Sequence, residues 1–355
     1  MTNIETLEHW LDSPNQCALI TSPVSRHYLT GLESEDGTVV VTKDVTYFII
    51  DSRYYEMAEK TVKGCEIILQ KEVYGQIAEI LNKHKIDTIS VESDYMTISQ
   101  LAAVNSKFMD CRIDTSKRLS EYLTNLRMVK SDWEIEKIVA AQRIAERAFS
   151  KLLSTMKVGM TEKQVAALLN FFMMEYGADG ISFETIAASG FNSSCPHAVP
   201  TDKPIKSGDF LTLDFGAMVD GYHSDMTRTV VFGQPTEEMK SVYNAVWGAN
   251  TDAMKAVRDG ISAKLVDNVA RATLQAWDYE EYFGHGLGHG VGLEIHEAPS
   301  LSPRSNFSLR TGMVVTIEPG VYLPGKFGVR IEDMVVVTKD GCKVLTETPK
   351  TLIYI

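Results

Sequence analysis

Two aspartates, Asp214 and Asp225, flank an Asp220-Gly221 pair inside a run of apolar and β-branched residues. Asp-Gly between such runs predicts a two-residue hairpin turn. With those residues as the turn, Asp214 falls opposite Thr227 and Asp225 opposite Gly216. Residues two apart on a strand share a face. Both carboxylates then project from one face as diagonal neighbours, within roughly 7–8 Å at the backbone. Leu211, Leu213 and Phe215 point to the opposite, core-facing side. Carboxylates aimed into one apolar space repel and are costly to bury unpaired. A multivalent cation reverses the sign of that energy. The hairpin alone reads equally well as a pair of solvent-facing sheet residues.

A second segment, Phe283 to Glu297, interleaves glycine with three of the eight histidines: His285, His289 and His296. Glycine lets backbone approach closely, and imidazole is both a common metal ligand and the usual acid/base near neutral pH. The pattern predicts a ligand-lined loop. It lacks the Gly-Lys-Ser/Thr of a phosphate-cradling loop. A third stretch ends an apolar strand, Gly312 to Ile317, with Glu318, and Pro319-Gly320 then turns the chain. Gly328 to Val337 reads as one further strand, with Arg330 and Glu332 on a shared face. That pair alone reads as a weak surface ion pair. The set Asp214, Asp225, His289, Glu318 and Glu332 is too oxygen-rich for a structural zinc site. It suits two divalent ions such as Mn²⁺, Co²⁺ or Zn²⁺, bridged by carboxylates about 3.5–4 Å apart. Such a pair lowers the pKa of a bridging water and polarises a carbonyl under attack.

The elements that must position these groups are legible in outline. Residues up to about 122 alternate strand and helix patterns. They hold a strand at Cys17 to Thr21, a hairpin around Lys43-Asp44, a helix over Val73 to Lys83 and a strand at Thr88 to Glu92. Leu119 to Lys130 reads as the join. Helices follow at Ser131 to Met156, Thr161 to Tyr176, Glu237 to Val257 and Ser262 to Trp277. Thr161 and Gln164 form a capping box, and Gly177 stops that helix. At 355 residues the chain suggests two domains. Its formal charge of −12 argues against nucleic acid or anionic membrane as a partner. No apolar run approaches the roughly 20 residues of a membrane span, and no early basic region precedes an apolar stretch as in a signal peptide. Cys17, Cys65, Cys111, Cys195 and Cys342 are odd in number and widely spaced, so free thiols in a reducing cytoplasm are expected.

Five segments, taken in order, resemble the pita-bread metallopeptidase family, which includes proline dipeptidase, aminopeptidase P, methionine aminopeptidase and the metal-free creatinase. They are Leu213-Asp214-Phe215-Gly216, Ser224 to Thr229, His285 to Glu297, Thr316 to Gly320 and Val329 to Asp333. The resemblance implies an α+β fold: a pita-bread catalytic domain over 123–355 and a smaller N-terminal creatinase-like α/β domain over 1–122. It implies Asp214 as a terminal ligand of one metal and Asp225 and Glu332 as bridges. His289 and Glu318 complete the other metal, with Glu318 also moving protons. His197, in the loop before Asp214, matches a family histidine. His285 and His296 are implied to position the scissile carbonyl and stabilise the oxyanion, Arg330 to support a histidine or the substrate carboxyl end, and Tyr322 to line the pocket. All five ligands are present, unlike in creatinase. His27 to Leu32 resembles a segment of the proline-peptidase N-terminal domain. The expectation is therefore an Xaa-Pro dipeptidase that carries two divalent ions, most simply Mn²⁺, and works as a cytoplasmic homodimer on proline-containing di- or oligopeptides. Aminopeptidase P activity on longer peptides is the alternative. A metallohydrolase acting on non-proline N-termini and a non-catalytic peptide-binding module of the same fold are the others.

Overall fold

The computed structural model describes residues 2–355, which form two compact units, one ending at Arg127 and the other beginning at Met128. The division falls in the last turn of the Arg118–Met128 helix; the sequence reading set its boundary after 122.

The first unit is a six-stranded mixed sheet. Its spatial order is Glu66–Leu69, Thr46–Ile50, Thr38–Val41, Gln16–Ile20, Thr88–Val91 and Arg112–Asp114. The Lys43-Asp44 hairpin forms as expected, with Thr38–Val41 antiparallel to Thr46–Ile50. The Thr88–Val91 strand, parallel to Gln16–Ile20, is buried throughout. Its apolar Ile89 and Val91 alternate with the polar Thr88 and Ser90, which are buried as well.

In the second unit two sheets each carry a helix pair. The Asp132–Leu153 and Glu162–Glu175 helices pack on a four-stranded sheet ordered Ile353–Tyr354, Met226–Val231, Phe210–Phe215, Ile186–Ser189. The Glu237–Ala256 and Ala263–Ala276 helices pack on a five-stranded sheet ordered Glu297–Leu301, Gly288–Gly290, Val314–Ile317, Asp333–Val337, Cys342–Val344. Capping boxes at Ser131/Glu134 and Thr161/Gln164 start the first helix pair. Leu211, Leu213 and Phe215 enter the core between sheet and helices. That orientation leaves Asp214 on the other face, as strand alternation requires.

The hairpin register is the expected one: Asp214 pairs with Thr227 and Phe215 with Met226. Asp220 and Gly221 both adopt positive φ, 50° and 77°, which a type I′ turn requires. Gly216 is fixed by a close approach, because a Cβ there would lie 1.8 Å from the Ser224 carbonyl oxygen.

Two expectations are corrected. The single strand from Gly328 to Val337 is two strands in different sheets, Phe327–Arg330 and Asp333–Val337, broken at Ile331-Glu332. Arg228 causes the break. Fully buried, it donates to the Glu332 carbonyl and to Asp333 Oδ1 (2.8 Å). Asn250 Nδ2 donates to the Ile331 carbonyl as well. The histidine-glycine segment, expected as a loop, contains the Gly288–Gly290 strand, paired on both sides. Gly288 fits there because a Cβ would stand 2.1 Å from the Thr316 carbonyl. Among the described residues no helix is long and apolar enough to cross a membrane, and the five cysteines are free.

Candidate active site

The four- and five-stranded sheets of the second unit bring acidic groups from their strand ends to one cavity of about 480 Å³. Nine of the sequence-predicted residues line it: His197, Asp214, Asp225, His285, His289, His296, Glu318, Arg330 and Glu332. Asp214 comes from the Phe210–Phe215 strand, and Asp225 immediately precedes the antiparallel Met226–Val231 strand. Glu332 sits in the break between strands, its amide donating to the Thr227 carbonyl (3.1 Å). Glu318 follows the Val314–Ile317 strand, its amide donating to the Leu287 carbonyl (2.8 Å). Asn250 on the Glu237–Ala256 helix ties down both glutamate segments, donating to the carbonyls of Ile317 (2.8 Å) and Ile331 (3.3 Å).

Oxygens of Asp225 and Glu332 and a ring nitrogen of His289 lie within 4.8 Å of one another. His289 Nε2 is 3.6 Å from Asp225 Oδ2 and 3.4 Å from Glu318 Oε1. His289 Nδ1 lies 3.0 Å from the Gly290 carbonyl oxygen. A carbonyl only accepts, so the ring proton sits on Nδ1 and the Nε2 lone pair faces the carboxylates. Burial, reinforced by His296, pushes the His289 pKa down to about 4 and keeps the ring neutral, the form that ligates a metal.

The acids show the opposite effect. Burial, then Glu332, Asp214 and Glu318, raise Asp225 well above the carboxylate range. Burial, then Glu318 and Asp214, do the same to Glu332. Burial pushes Glu318 up to about 8, although Arg330 and Thr316 oppose it. Asp214 Oδ1, Asp225 Oδ1 and Glu332 Oε1 are buried with no hydrogen-bond partner. A cluster of carboxylate oxygens without donors, beside a lone pair of neutral imidazole, fits divalent cations.

Tyr322 is placed differently from the expectation. It stands behind the cavity wall, buried, and its hydroxyl links Arg330 Nη1 (2.8 Å) to His285 Nε2 (2.9 Å). His285 Nδ1 faces the Gly286 carbonyl at 2.8 Å, so both its nitrogens are engaged by the protein. Arg330 also donates to Asp214 Oδ2 (2.6 Å), Thr227 Oγ1 (3.1 Å) and the Pro196 carbonyl (3.3 Å). His197 and His296 are exposed at the wall. Asp267 and Arg271, one turn apart on the Ala263–Ala276 helix, hold the histidine loop. Asp267 accepts from the Leu287 amide (3.0 Å) and Arg271 donates to the His285 carbonyl (2.5 Å).

Sequence reasoning assigned no role to Thr227 and Thr316. Thr227 Oγ1 donates to Glu332 Oε2 (2.7 Å), and Thr316 Oγ1 accepts from the His289 amide (3.1 Å). Their place inside the quoted segments was the available signal. Phe183, Glu184, Ile186, Ser300 and Ser302 also line the wall, and no local pattern marks them.

The chain is 37% identical to a Xaa-Pro dipeptidase of Pyrococcus furiosus over 94% of each chain. Its fold is similar to the solved Xaa-Pro dipeptidase from Bacillus anthracis, with a TM-score of 0.94, 39% identity and 99% of both chains covered. It is also similar to the X-Pro aminopeptidase from Thermotoga maritima, with a TM-score of 0.91, 36% identity, and 96% of this chain and 97% of that one covered. Residues 12–129 match the creatinase/prolidase N-terminal domain. Residues 136–339, which carry every group lining the cavity, match the M24 catalytic domain, and the chain belongs to metallopeptidase family M24.

Proposed function

We propose that the chain is a Xaa-Pro dipeptidase that hydrolyses the bond between an N-terminal residue and a following proline. Similarity to the Pyrococcus furiosus Xaa-Pro dipeptidase over 94% of both chains carries this reading. Asp214, Asp225, His289, Glu318 and Glu332 would hold two divalent ions, Mn²⁺ in the first instance. When bound, such ions polarise the scissile carbonyl and lower the pKa of an attacking water.

The chain's own groups supply the rest. An amide nitrogen contributed by proline carries no hydrogen, and after cleavage it must receive a proton. Glu318, whose Oε1 lies 3.4 Å from His289 Nε2 at the cavity, is suited to take the proton from the attacking water and pass it to that nitrogen. His197 and His296, exposed at the wall, are suited to hydrogen-bond the substrate's carbonyl and terminal carboxylate. His285, held by Tyr322 and Gly286, is suited to fixing the shape of the wall beside them.

Similarity to the Thermotoga maritima X-Pro aminopeptidase favours a second reading, action on longer peptides. The test follows release of the N-terminal amino acid by Mn²⁺-loaded protein from an Xaa-Pro dipeptide and an Xaa-Pro-Xaa tripeptide with the same first residue. Turnover of the dipeptide alone supports the dipeptidase. Efficient tripeptide cleavage replaces it with the aminopeptidase, and silence on both leaves a peptide-binding module.

A further inference from the structure

Glu162 is the first residue of the Glu162–Glu175 helix and is fully buried. Cap formation does not require it, because Thr161 and Gln164 already form the capping box. An acidic residue in the first turn favours the helix dipole from the surface equally well. The partners of Glu162 lie elsewhere. Oε1 accepts from the Ser189 amide (2.7 Å) and the Ser189 hydroxyl (2.7 Å). Oε2 accepts from the Thr201 amide (3.0 Å) and the Thr201 hydroxyl (2.6 Å). Asn192 Nδ2 reaches both oxygens at 3.0 Å. One carboxylate therefore closes the two ends of the 189–201 segment on each other.

That segment carries His197 to the cavity wall. Between its ends, Gly328 N donates to Ser193 Oγ (2.8 Å) and Arg330 Nη1 to the Pro196 carbonyl (3.3 Å). Two backbone bonds, Cys195 N to the Asn192 carbonyl (3.1 Å) and Ala198 N to the Cys195 carbonyl (3.3 Å), add to these. Cys195, His197 and Val199 are exposed. With so few internal ties, the position of His197 depends on where the segment's ends are fixed.

We propose that Glu162 is a positioning residue for the peptidase reaction, acting through His197 by clamping Ser189, Asn192 and Thr201 into one rigid bridge. The proposal rests on the reading of His197 as a substrate-holding group. Glutamine at 162 would turn an NH₂ toward donors that need an acceptor, breaking the clamp while keeping its volume.

The test is a double-mutant cycle on Mn²⁺-loaded enzyme with an Xaa-Pro dipeptide, using wild type, Glu162→Gln, His197→Ala and the double variant. Bound metal is measured for each. Glu162→Gln is expected to lower kcat/KM by about 10- to 100-fold with bound metal unchanged, and to cost under about 2-fold more once His197 is gone. Equal losses in both backgrounds, or a loss that tracks bound metal, would overturn the proposal. If His197→Ala leaves kcat/KM unchanged, the reading of His197 fails and takes the inference with it. Thr201→Val removes one donor, keeps the carboxylate, and gives a smaller loss of the same pattern should Glu162→Gln fold poorly. Hydrogen exchange supplies a readout independent of turnover. Faster exchange confined to amides 192–201 in Glu162→Gln supports the clamp even if wild type proves silent on proline peptides, and unchanged exchange there overturns it.

Discussion

Arg330 donates from Nη2 to Asp214 Oδ2 over 2.6 Å, across 116 positions of sequence, with both side chains largely buried. The pair joins the Phe327–Arg330 strand to the Phe210–Phe215 strand. It also places the site's one arginine among the four candidate ligand carboxylates, Asp214, Asp225, Glu318 and Glu332. Removing it leaves buried negative charge without a fixed counter-charge, typically a loss of about 3–5 kcal/mol. Arg330→Met should therefore lower the urea-unfolding free energy of chelator-treated protein by about 3 kcal/mol, and saturating Mn²⁺ should restore most of it. An equal loss with and without the ion would mean that Arg330 stabilises through packing alone.

Asp225→Asn should invert the usual effect of mutating a ligand. Without metal, Asp225 is buried, has an unpartnered Oδ1 and faces Glu332, Asp214 and Glu318. Its pKa is raised, so the folded state favours the protonated acid. That advantage is complete at low pH and disappears as pH rises through the folded value. Glu318, at about 8, extends the same loss into the weakly alkaline range. Metal-free wild type should thus be less stable at pH 9 than at pH 6, and metal-free Asp225→Asn should be the more stable of the two at pH 9. Saturating ion should reverse the order, since at 100 Kd an ion adds about 2.7 kcal/mol to a site that binds it. Thermal melts with chelator and with Mn²⁺ at both pH values decide it; a wild type that stays ahead without metal would sink the account.

Much of this arrangement could be read before any coordinates. Asp220-Gly221 set the hairpin register because few dipeptides adopt two positive φ values in succession. Thr161 and Gln164 announced their helix because a capping box is a local exchange of hydrogen bonds. What escaped depends on distant partners. The break at Ile331-Glu332 is made by Arg228 and Asn250, from another strand and another helix. Gly288–Gly290 is a strand because neighbours on both sides supply its pairing, whereas glycine itself disfavours strands. Tyr322 was expected at the pocket surface. Its hydroxyl is instead consumed between Arg330 and His285, a juxtaposition no spacing rule reports.

That hydroxyl gives a third prediction. Burial, despite the nearby Arg330, pushes the Tyr322 pKa up to about 12. Burial, helped by Arg330, pushes His285 down to about 4. Between pH 5 and 9 the phenol stays protonated and the ring neutral, so Arg330 donates to Tyr322 and Tyr322 donates to His285. Tyr322→Phe leaves His285 Nε2 buried without its donor. The expected result is a fall in kcat of about 10-fold, in the range for groups that orient others in a site, with bound metal unchanged. Unchanged kcat would reduce Tyr322 to a packing role.

Glycines in the histidine segment should differ sharply in tolerance. At Gly288 a Cβ would meet the Thr316 carbonyl at 2.1 Å and Thr316 Oγ1 at 2.7 Å. Thr316 Oγ1 also takes the His289 amide at 3.1 Å, so the strand cannot yield without moving His289. At Gly284 a Cβ would meet nothing within 4 Å, and φ is not in the left-handed region. Gly288→Ala should cost about 1–3 kcal/mol through overpacking and weaken Mn²⁺ binding by displacing the imidazole. Gly284→Ala, four residues earlier, should stay within about 0.5 kcal/mol and bind the ion as wild type does. Urea unfolding and Mn²⁺ titration of the two variants side by side make the comparison. Equal behaviour would show that this backbone yields where its contacts say it cannot, and the placement of His289 would then need another cause.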